Sequence, residues 1–118
     1  MNKKIGSDFE KKIVKMLGEA GYWAHLIVPD ARGAQPFDII AVKNGVALAI
    51  DCKTCVDDVF RISRLEDNQI AAFDKWIQCG NITPLVVIDH GGKAVYVNYI
   101  MLSSRRSVRI EELPEFVP

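Results

Sequence analysis

Residues 35–54, QPFDIIAVKNGVALAIDCKT, contain two aliphatic runs joined by Asn44-Gly45. This dipeptide is the strongest short signal for a two-residue β-hairpin turn, because both central residues of a type I′ turn need positive φ. The turn fixes the pairing of the two strands, and the pairing carried outward places Asp38 directly opposite Asp51. A four-residue loop would keep this pairing, and a three-residue loop would shift it. The stretch therefore predicts a buried hairpin with a carboxylate near each outer end.

The predicted hairpin carries these carboxylates on a face that is otherwise apolar, and its other face is apolar as well. Such a strand pair belongs inside a sheet that is covered on both sides. Two partly desolvated carboxylates whose Cβ atoms lie about 5 Å apart repel each other unless one is protonated or a cation lies between them. Oxygen ligands in an incomplete site suit Mg²⁺ or Mn²⁺. With Lys53 on the same face, the hairpin predicts metal-dependent hydrolysis of a phosphodiester.

Before the hairpin, the sequence predicts a helix and a strand. Ser7 or Asp8 can cap the helix, which runs to about Ala20, and Gly21 is placed to end it in the left-handed conformation. Its apolar stripe consists of Phe9, Ile13, Met16, Leu17 and Ala20. Strand-like residues follow at 22–28, and a turn-rich stretch, PDARGAQP, then leads into the hairpin.

After the hairpin, the sequence predicts an extended link, a second helix and two further strands. Ser63-Arg64-Leu65-Glu66 is a capping-box pattern that opens the helix, and Gly80 ends it. Its buried side carries Ile70, Phe73, Trp76 and Ile77. The strands span residues 84–89 and 94–97, and a short helical piece lies at 99–103. The order α-β-β-β-α-β-β predicts the α/β class, with a mixed central sheet flanked by helices.

The composition fits one compact domain spanning residues 1–118, which ends in a short acidic and proline-containing tail at about 111–118. Hydrophobic residues make up 49% of the chain, enough for a single core. Fifteen basic and fifteen acidic residues cancel, so any nucleic-acid partner must be held by local charge. No apolar stretch approaches the roughly 20 residues that span a bilayer, and we expect no membrane partner.

The cysteine and histidine residues predict no metal or redox site. Cys52, Cys55 and Cys79 have no disulfide-framework spacing, and the N-terminus lacks the apolar run of a signal peptide, so we expect a reducing, cytoplasmic compartment. The Cys52-x-x-Cys55 spacing is compatible with zinc or redox chemistry, but no second pair completes a tetrahedral site. His25 and His90 show no ligand spacing.

Pro36-Phe37-Asp38 followed by Asp51-Cys52-Lys53, after a helix bearing Glu10, resembles the PD-(D/E)XK nuclease superfamily, whose fold is restriction-endonuclease-like. Two longer stretches, GSDFEKKI and IDCKTCVDDVFRISRLEDNQIAAFDKWIQCGN, are similar to RecU-type and phage Holliday junction resolvases. The resemblance covers about residues 6–97. It implies a Mg²⁺- or Mn²⁺-dependent DNA endonuclease of bacterial or phage-infected cytosol that resolves four-way junctions. It also implies a homodimer, because symmetric cleavage of a junction needs two sites.

The resemblance implies a role for each matching side chain. Asp38 and Asp51 would be metal ligands, the backbone carbonyl of Cys52 would supply another, and Lys53 would be the catalytic lysine. Glu10 matches the first-helix acid that approaches the metal directly or through water. On the residues alone, Glu10 has an alternative interpretation as a solvated side chain in the first turn of a helix.

Gln69 matches the second-helix glutamine that faces the site in these enzymes. It lies one turn before Phe73, on the side of the helix predicted to be buried. The alternative is a boundary residue of an amphipathic helix. Asp51 stands where Glu is commoner in the superfamily and is one methylene shorter, so the ion must sit closer to the strand or be bound through water.

Arginines in two groups are candidates for contacts to the DNA backbone. Arg61 and Arg64 flank the entrance to the second helix, and Arg105, Arg106 and Arg109 form a second group. We expect phosphate contacts from Arg61, Arg64, Arg105 and Arg106, with a solvated charged surface as the alternative. No aromatic ladder for single strands is evident, which favours recognition of duplex shape.

Three other functions stay open at this stage. The first is a repair or restriction-like nuclease that acts on linear duplex, nicked or flapped DNA. The second is a catalytically silent DNA-binding module of the same fold, which the Asp-for-Glu exchange at Asp51 would favour. The third is a redox protein that uses Cys52 and Cys55. Substrate competition and metal binding distinguish the first two from a junction resolvase.

Overall fold

A computed structural model describes residues 3–29 and 35–118, with side chains from Asp8 onward in the first helix. The helices are α1 (Lys3–Glu19), α2 (Asp67–Gln78) and α3 (Tyr99–Arg105), and short 3-10 turns span Ile62–Arg64 and Ile110–Glu112. The strands are β1 (Trp23–Leu26), β2 (Ile39–Lys43), β3 (Val46–Thr54), β4 (Val59–Arg61), β5 (Leu85–His90), β6 (Lys93–Asn98) and β7 (Ser107–Arg109).

A mixed sheet organises the chain, as the sequence predicts. Five strands lie in the order β1-β2-β3-β5-β6, and a separate two-stranded sheet pairs β4 with β7. Strands β3 and β5 run parallel, and the other neighbours in the large sheet are antiparallel. The helix α2 lies in the crossover between the parallel strands, as such a connection requires. Strand β3 is therefore central and has a neighbour on both sides.

The β2–β3 hairpin has the predicted turn and pairing. Asn44 and Gly45 have φ of 53° and 77°, as a type I′ turn requires, and Ile39 is the partner of Ile50. The pairing ends there, one residue short of the predicted Asp38–Asp51 pair. The Asp38 amide donates to the Ile50 carbonyl at 3.1 Å, so two consecutive residues face Ile50, as in a β-bulge.

Two apolar layers cover the large sheet, one on each face. On one face, Ile39, Ile50 and Val87 pack under the buried stripe of α1. On the other, Ala49 and Val86 lie in a cluster with residues of α2, α3 and the β4–β7 pair. Members of this second cluster include Phe60, Phe73, Leu102 and Val108. Burial on both faces explains why the hairpin strands read as almost continuous aliphatic runs.

Both long helices end just before the glycines predicted to end them, but the predicted helix starts were wrong. Gly21 and Gly80 follow the two long helices with φ of 94° and 92°. Helix α1 begins at Lys3, before the predicted cap at Ser7 or Asp8, both of which lie inside it. Helix α2 begins at Asp67 and not after Ser63, which falls in a 3-10 turn.

Residue Glu66 is the N-cap of α2, and Gln69 completes its capping box. The Glu66 side chain accepts from the Gln69 backbone, and the Glu66 amide donates to Gln69 Oε1 at 3.0 Å. A capping box needs an acceptor side chain at the N-cap and Glu or Gln three residues on, and this pair meets both conditions. The predicted pattern was therefore displaced by three residues.

Several features after the hairpin go beyond the sequence prediction. The extended link contains β4, the short helical piece continues to Arg105 as α3, and β7 was not predicted. Residues 111–118, predicted as a tail, contact the large sheet: Phe116 is buried, and its amide donates to the Ala94 carbonyl at 2.9 Å. Most of the predicted turn-rich stretch, residues 30–34, lies outside the described residues. No described helix has the length and apolar character to cross a membrane.

Replacing Phe116 with alanine should lower the free energy of unfolding by about 3 kcal/mol, because its ring is buried against Tyr96 at a centroid distance of 5.9 Å. Urea denaturation followed by circular dichroism measures the change. Val117→Ala, at a residue that is 76% exposed, is the matched control and should cost less than about 0.5 kcal/mol. Equal stabilities of the two variants would show that residues 111–118 contribute little to the fold.

Candidate active site

The Asp51 carboxylate is buried in the middle of the large sheet. Its side chain has no solvent exposure. Oδ1 accepts a hydrogen bond from Gln69 Nε2 at 3.0 Å, whereas Oδ2 has no hydrogen-bond donor. The Lys53 ammonium lies 3.4 Å from Oδ2 and is itself largely buried. A buried carboxylate oxygen without a donor is costly unless a cation completes its surroundings.

Asp38 is also buried, at 7% exposure, and both of its oxygens have donors. Oδ2 accepts from the Cys52 amide at 2.8 Å, and Oδ1 accepts from Gln35 Nε2. The bulge at Asp38 explains the first of these bonds, because the side chain reaches an amide of the neighbouring strand just beyond the last ladder pair. The carboxylate is thus fixed at the end of the β2–β3 ladder.

Glu10 of α1 lies half-buried beside Asp38, so three carboxyl groups form a row with Asp38 in the middle. Burial, followed by the Asp38 charge, raises the pKa of Glu10 to about 7, and Lys53 opposes the shift. Burial, followed by the Asp38 charge, likewise raises the pKa of Asp51 to about 8 against the opposing effect of Lys53. The single Lys53 ammonium therefore does not offset the burial and mutual closeness of these carboxyl groups.

The charges and ligand types in this row fit a divalent cation. Oxygen ligands of negative charge suit Mg²⁺ or Mn²⁺, and the Asp51 oxygen that lacks a donor is a position for such an ion. Among the side chains that the structure describes, no group of three His, Cys, Asp or Glu residues is placed to hold a metal ion by itself. The side chains thus form an incomplete shell, of the kind that water and a substrate phosphate complete for Mg²⁺.

Gln69 connects the start of α2 to the buried carboxylate. Its Oε1 accepts from the Glu66 amide at the helix N-cap, and its Nε2 donates to Asp51 at 3.0 Å. The side chain is 6% exposed, which agrees with the expectation that it faces the site and not with a boundary position. The amide orientation is fixed because exchanging its oxygen and nitrogen would break both bonds.

The backbone pairing of β4 with β7 brings the two predicted arginine groups close together. Pairing of β4 with β7 places Arg61 opposite Ser107, and the Arg106 carbonyl accepts from the Ile62 amide at 2.9 Å. Arg64 donates to the Thr54 carbonyl at 2.7 Å, at the end of the strand that carries Lys53. Its guanidinium also lies over the Phe60 ring, which holds it against the fold. Arg109, which was left out of the predicted contacts, pairs with Glu111.

The remaining cysteine and histidine side chains serve other contacts. All three cysteines are free. Cys52 packs on the α1 side of the sheet, where burial raises the pKa of its thiol. Cys55 is buried in the opposite cluster, so the Cys52-x-x-Cys55 pair is divided between the two faces. His90 Nδ1 lies 2.7 Å from the Cys55 carbonyl. These positions support the structural interpretation of both cysteines.

Sequence reasoning missed Gln35 and Asn68. The Gln35 side chain donates to Asp38, and Asn68 in the first turn of α2 donates to the Gln35 carbonyl at 2.8 Å. The signal in the sequence is weak: an amide side chain directly precedes Pro36-Phe37-Asp38, and another directly precedes Gln69. Neither residue could be assigned until the loop before β2 and the start of α2 were placed side by side.

A mixed sheet with two carboxylates and a lysine gathered around its central strand defines a domain of the PD-(D/E)XK nuclease class. The chain belongs to the archaeal Holliday junction resolvase family, since the family model described as "Archaeal holliday junction resolvase (hjc)" matches residues 1–114. The more specific resemblance to RecU-type and phage enzymes is not confirmed by this match.

Individual relatives agree with the family assignment. The chain is 27% identical over 99 residues to the crossover junction endodeoxyribonuclease Hjc of Methanocaldococcus jannaschii, covering 84% of this chain and 69% of the relative. The solved structure of Archaeoglobus fulgidus Hjc, a Holliday junction resolvase, superposes with a TM-score of 0.69. That match covers 90% of this chain and 89% of the other at 18% identity, and it confirms the predicted α/β fold.

The free energy of unfolding of the metal-free protein should fall as the pH rises from about 4 to about 8. The unfolded chain releases the Asp51 proton near pH 4. The folded protein, in which the pKa of Asp51 is raised to about 8, keeps that proton, so each rise in pH within this window favours unfolding. Asp51→Asn should remove the larger part of the decline and exceed the wild type at pH 8 by about 1–3 kcal/mol.

Urea titrations in EDTA at pH 5 and pH 8 measure this difference. Asp57→Asn, at an exposed position, is the matched control and should keep the wild-type pH dependence. The Glu10 carboxyl, with its pKa raised to about 7, should account for the decline that remains in Asp51→Asn. A decline of wild-type size in Asp51→Asn would contradict the assigned cause.

Proposed function

We propose that this protein is a divalent-metal-dependent endodeoxyribonuclease that resolves four-way DNA junctions. The observation that carries the proposal is the buried Asp51 oxygen without a donor, beside Asp38 and Lys53, in a chain of the archaeal resolvase family. The names of the relatives add support, since they describe a Holliday junction resolvase and a crossover junction endodeoxyribonuclease.

Asp38 and Asp51 would hold Mg²⁺ or Mn²⁺, with the Cys52 carbonyl as a further ligand and Glu10 bound directly or through water. A bound ion of this kind supplies a water of lowered pKa and neutralises charge that develops on the phosphate. The Asp51 side chain would bind the ion through Oδ2, since Oδ1 already accepts a hydrogen bond from Gln69. The shorter Asp in place of Glu is thereby held in one orientation, with its free oxygen on the side of Lys53.

Lys53 would act at the reacting phosphate. Its ammonium lies 3.4 Å from Asp51 Oδ2 and retains some exposure, so it can reach from the buried carboxylate toward a bound DNA backbone. A cation at this position can orient the attacking water and stabilise the negative charge of the pentacoordinate transition state. The Asp51 charge keeps the ammonium in place between the ligand row and the substrate.

The arginines on and beside the β4–β7 pair would hold the DNA backbone. Arg61, Arg105 and Arg106 are exposed, and Arg64 is anchored at the end of β3 by the Thr54 carbonyl. A guanidinium has five N–H donors, so one bond to a carbonyl leaves others for phosphate oxygens. Contacts of this type position a duplex without reading its sequence.

We further propose that the protein is a homodimer in the cytoplasm. A four-way junction has two symmetric strands to cut, and one chain supplies one row of carboxylates, so two copies would place one site at each strand. Free thiols at Cys52, Cys55 and Cys79 agree with a reducing compartment.

Purified protein should cleave a labelled four-way junction in Mg²⁺, and Asp51→Ala should lower the rate at least about 100-fold, because metal-assisted charge stabilisation is worth several kcal/mol. Gel electrophoresis of the products measures the rate, and light scattering should give twice the mass of one chain. Asp57→Ala, which removes an exposed carboxylate, is the matched control and should cleave at the wild-type rate.

Competing substrates decide between the alternatives. Cleavage of the junction in the presence of excess linear duplex and flapped DNA would support a resolvase, whereas preferential cleavage of the competitors would point to a repair-type nuclease. Junction binding without cleavage or metal binding would indicate a silent module. Equal cleavage by wild type and Asp51→Ala would rule out the proposed site.

Arg61→Ala should weaken junction binding and reduce the slope of log affinity against log salt by about 1, because one phosphate contact is lost. Fluorescence anisotropy measures the binding. All variants carry Asp51→Asn as well, so that the junction is not cleaved during the titration. Lys75→Ala, an exposed cation in the last turn of α2, is the control and should leave the slope unchanged. Equal slopes for Arg61→Ala and Lys75→Ala would remove Arg61 from the DNA-binding surface.

A further inference from the structure

We propose that Gln35 is a positioning residue for the Asp38 carboxylate, and that Asn68 holds Gln35 in place for this role. The first turn of α2 would then fix both carboxylates of the site, Asp38 through Asn68 and Gln35, and Asp51 through Gln69. The inference rests on the proposed function, since it takes Asp38 as a metal ligand.

The Asp38 side chain needs to be held because like charges lie on two sides of it. Asp51 and Glu10 both lie close enough to the Asp38 carboxylate to interact with it directly. The Cys52 amide holds Oδ2 at 2.8 Å, but a single donor at one oxygen leaves the carboxylate free to rotate about that bond. The Gln35 amide, as a donor to Oδ1, fixes the carboxylate at its second oxygen.

The position of Gln35 in turn depends on α2. Asn68 Nδ2 donates to the Gln35 carbonyl at 2.8 Å, which ties the residue entering β2 to the helix across 33 positions of sequence. Asn68 is exposed, so this bond adds no buried apolar area, and its effect is to orient the loop. Neighbouring residues of one helical turn are therefore linked to the two carboxylates, Asn68 to Asp38 by way of Gln35 and Gln69 to Asp51 directly.

Loss of the Gln35 donor should weaken Mn²⁺ binding about 10- to 100-fold, the usual effect of removing a group that orients a metal ligand. Isothermal titration calorimetry of Gln35→Ala with Mn²⁺ alone measures the affinity. Junction affinity in EDTA should stay at the wild-type value, because Gln35 is proposed to act on Asp38 and not on DNA. Gln78→Ala, at an exposed glutamine at the end of α2, is the control.

Asn68→Ala tests the second part of the proposal, that Asn68 holds Gln35 in place. It also keeps the proposal testable if Gln35→Ala folds poorly. Alanine has the higher helix propensity, so the substitution should not weaken α2. Mn²⁺ affinity should still fall several-fold, because Gln35 loses its anchor. The double variant Gln35→Ala/Asn68→Ala should bind Mn²⁺ as Gln35→Ala does, since Asn68 has no further route to Asp38 once the donor is gone.

Mn²⁺ affinity within about twofold of the wild type in both single variants would overturn the inference. Asp38→Ala separates this result from a failure of the proposed function. Weak Mn²⁺ binding by Asp38→Ala together with wild-type binding by Gln35→Ala would reject only the positioning role. Wild-type Mn²⁺ binding by Asp38→Ala would reject Asp38 as a ligand, and the inference would fall with it.

Discussion

Burial of the Asp51 carboxylate beside Asp38 is the constraint on which the site depends. An ionised carboxylate in an apolar layer costs several kcal/mol unless donors or cations replace its water. The fold supplies one donor from Gln69 and one cation from Lys53, and leaves Oδ2 without a hydrogen bond. The surroundings of Asp51 thus support its charge only in part, which is why we propose that a divalent ion completes them.

The need to hold this carboxylate also decides where α2 begins. A glutamine in the third position of a helix can close a capping box with its oxygen while its nitrogen stays free to donate. Gln69 uses both atoms in this way, between the Glu66 amide and Asp51. The position at which α2 begins therefore also sets the orientation of the Asp51 carboxylate. With Ser63 as the N-cap, Gln69 would not stand at the third helical position and could not make both bonds.

Local signals made the central part of the fold predictable. The Asn44-Gly45 turn set the register of β2 and β3, the alternation along β3 placed Asp51 and Lys53 on one face, and glycines marked the helix ends. The break in the pairing at Asp38 was missed because the register set by the turn does not show that the Cys52 amide donates to a side chain and not to the β2 backbone. Strand β7 was missed because a strand of three residues is too short to show an alternating hydrophobic pattern. Its partner strand, β4, also lies far away in the sequence.

The zero net charge of the chain conceals a separation of charge in space. Three of its carboxyl groups, on Glu10, Asp38 and Asp51, gather in one row around the end of the hairpin, where a bound divalent ion would neutralise most of their charge. The arginines of the β4–β7 pair lie outside the core, on a surface formed by two distant parts of the sequence. A composition that cancels over the whole chain can therefore still separate acidic from basic groups in space, with carboxyl groups gathered at the large sheet and exposed arginines on the β4–β7 pair.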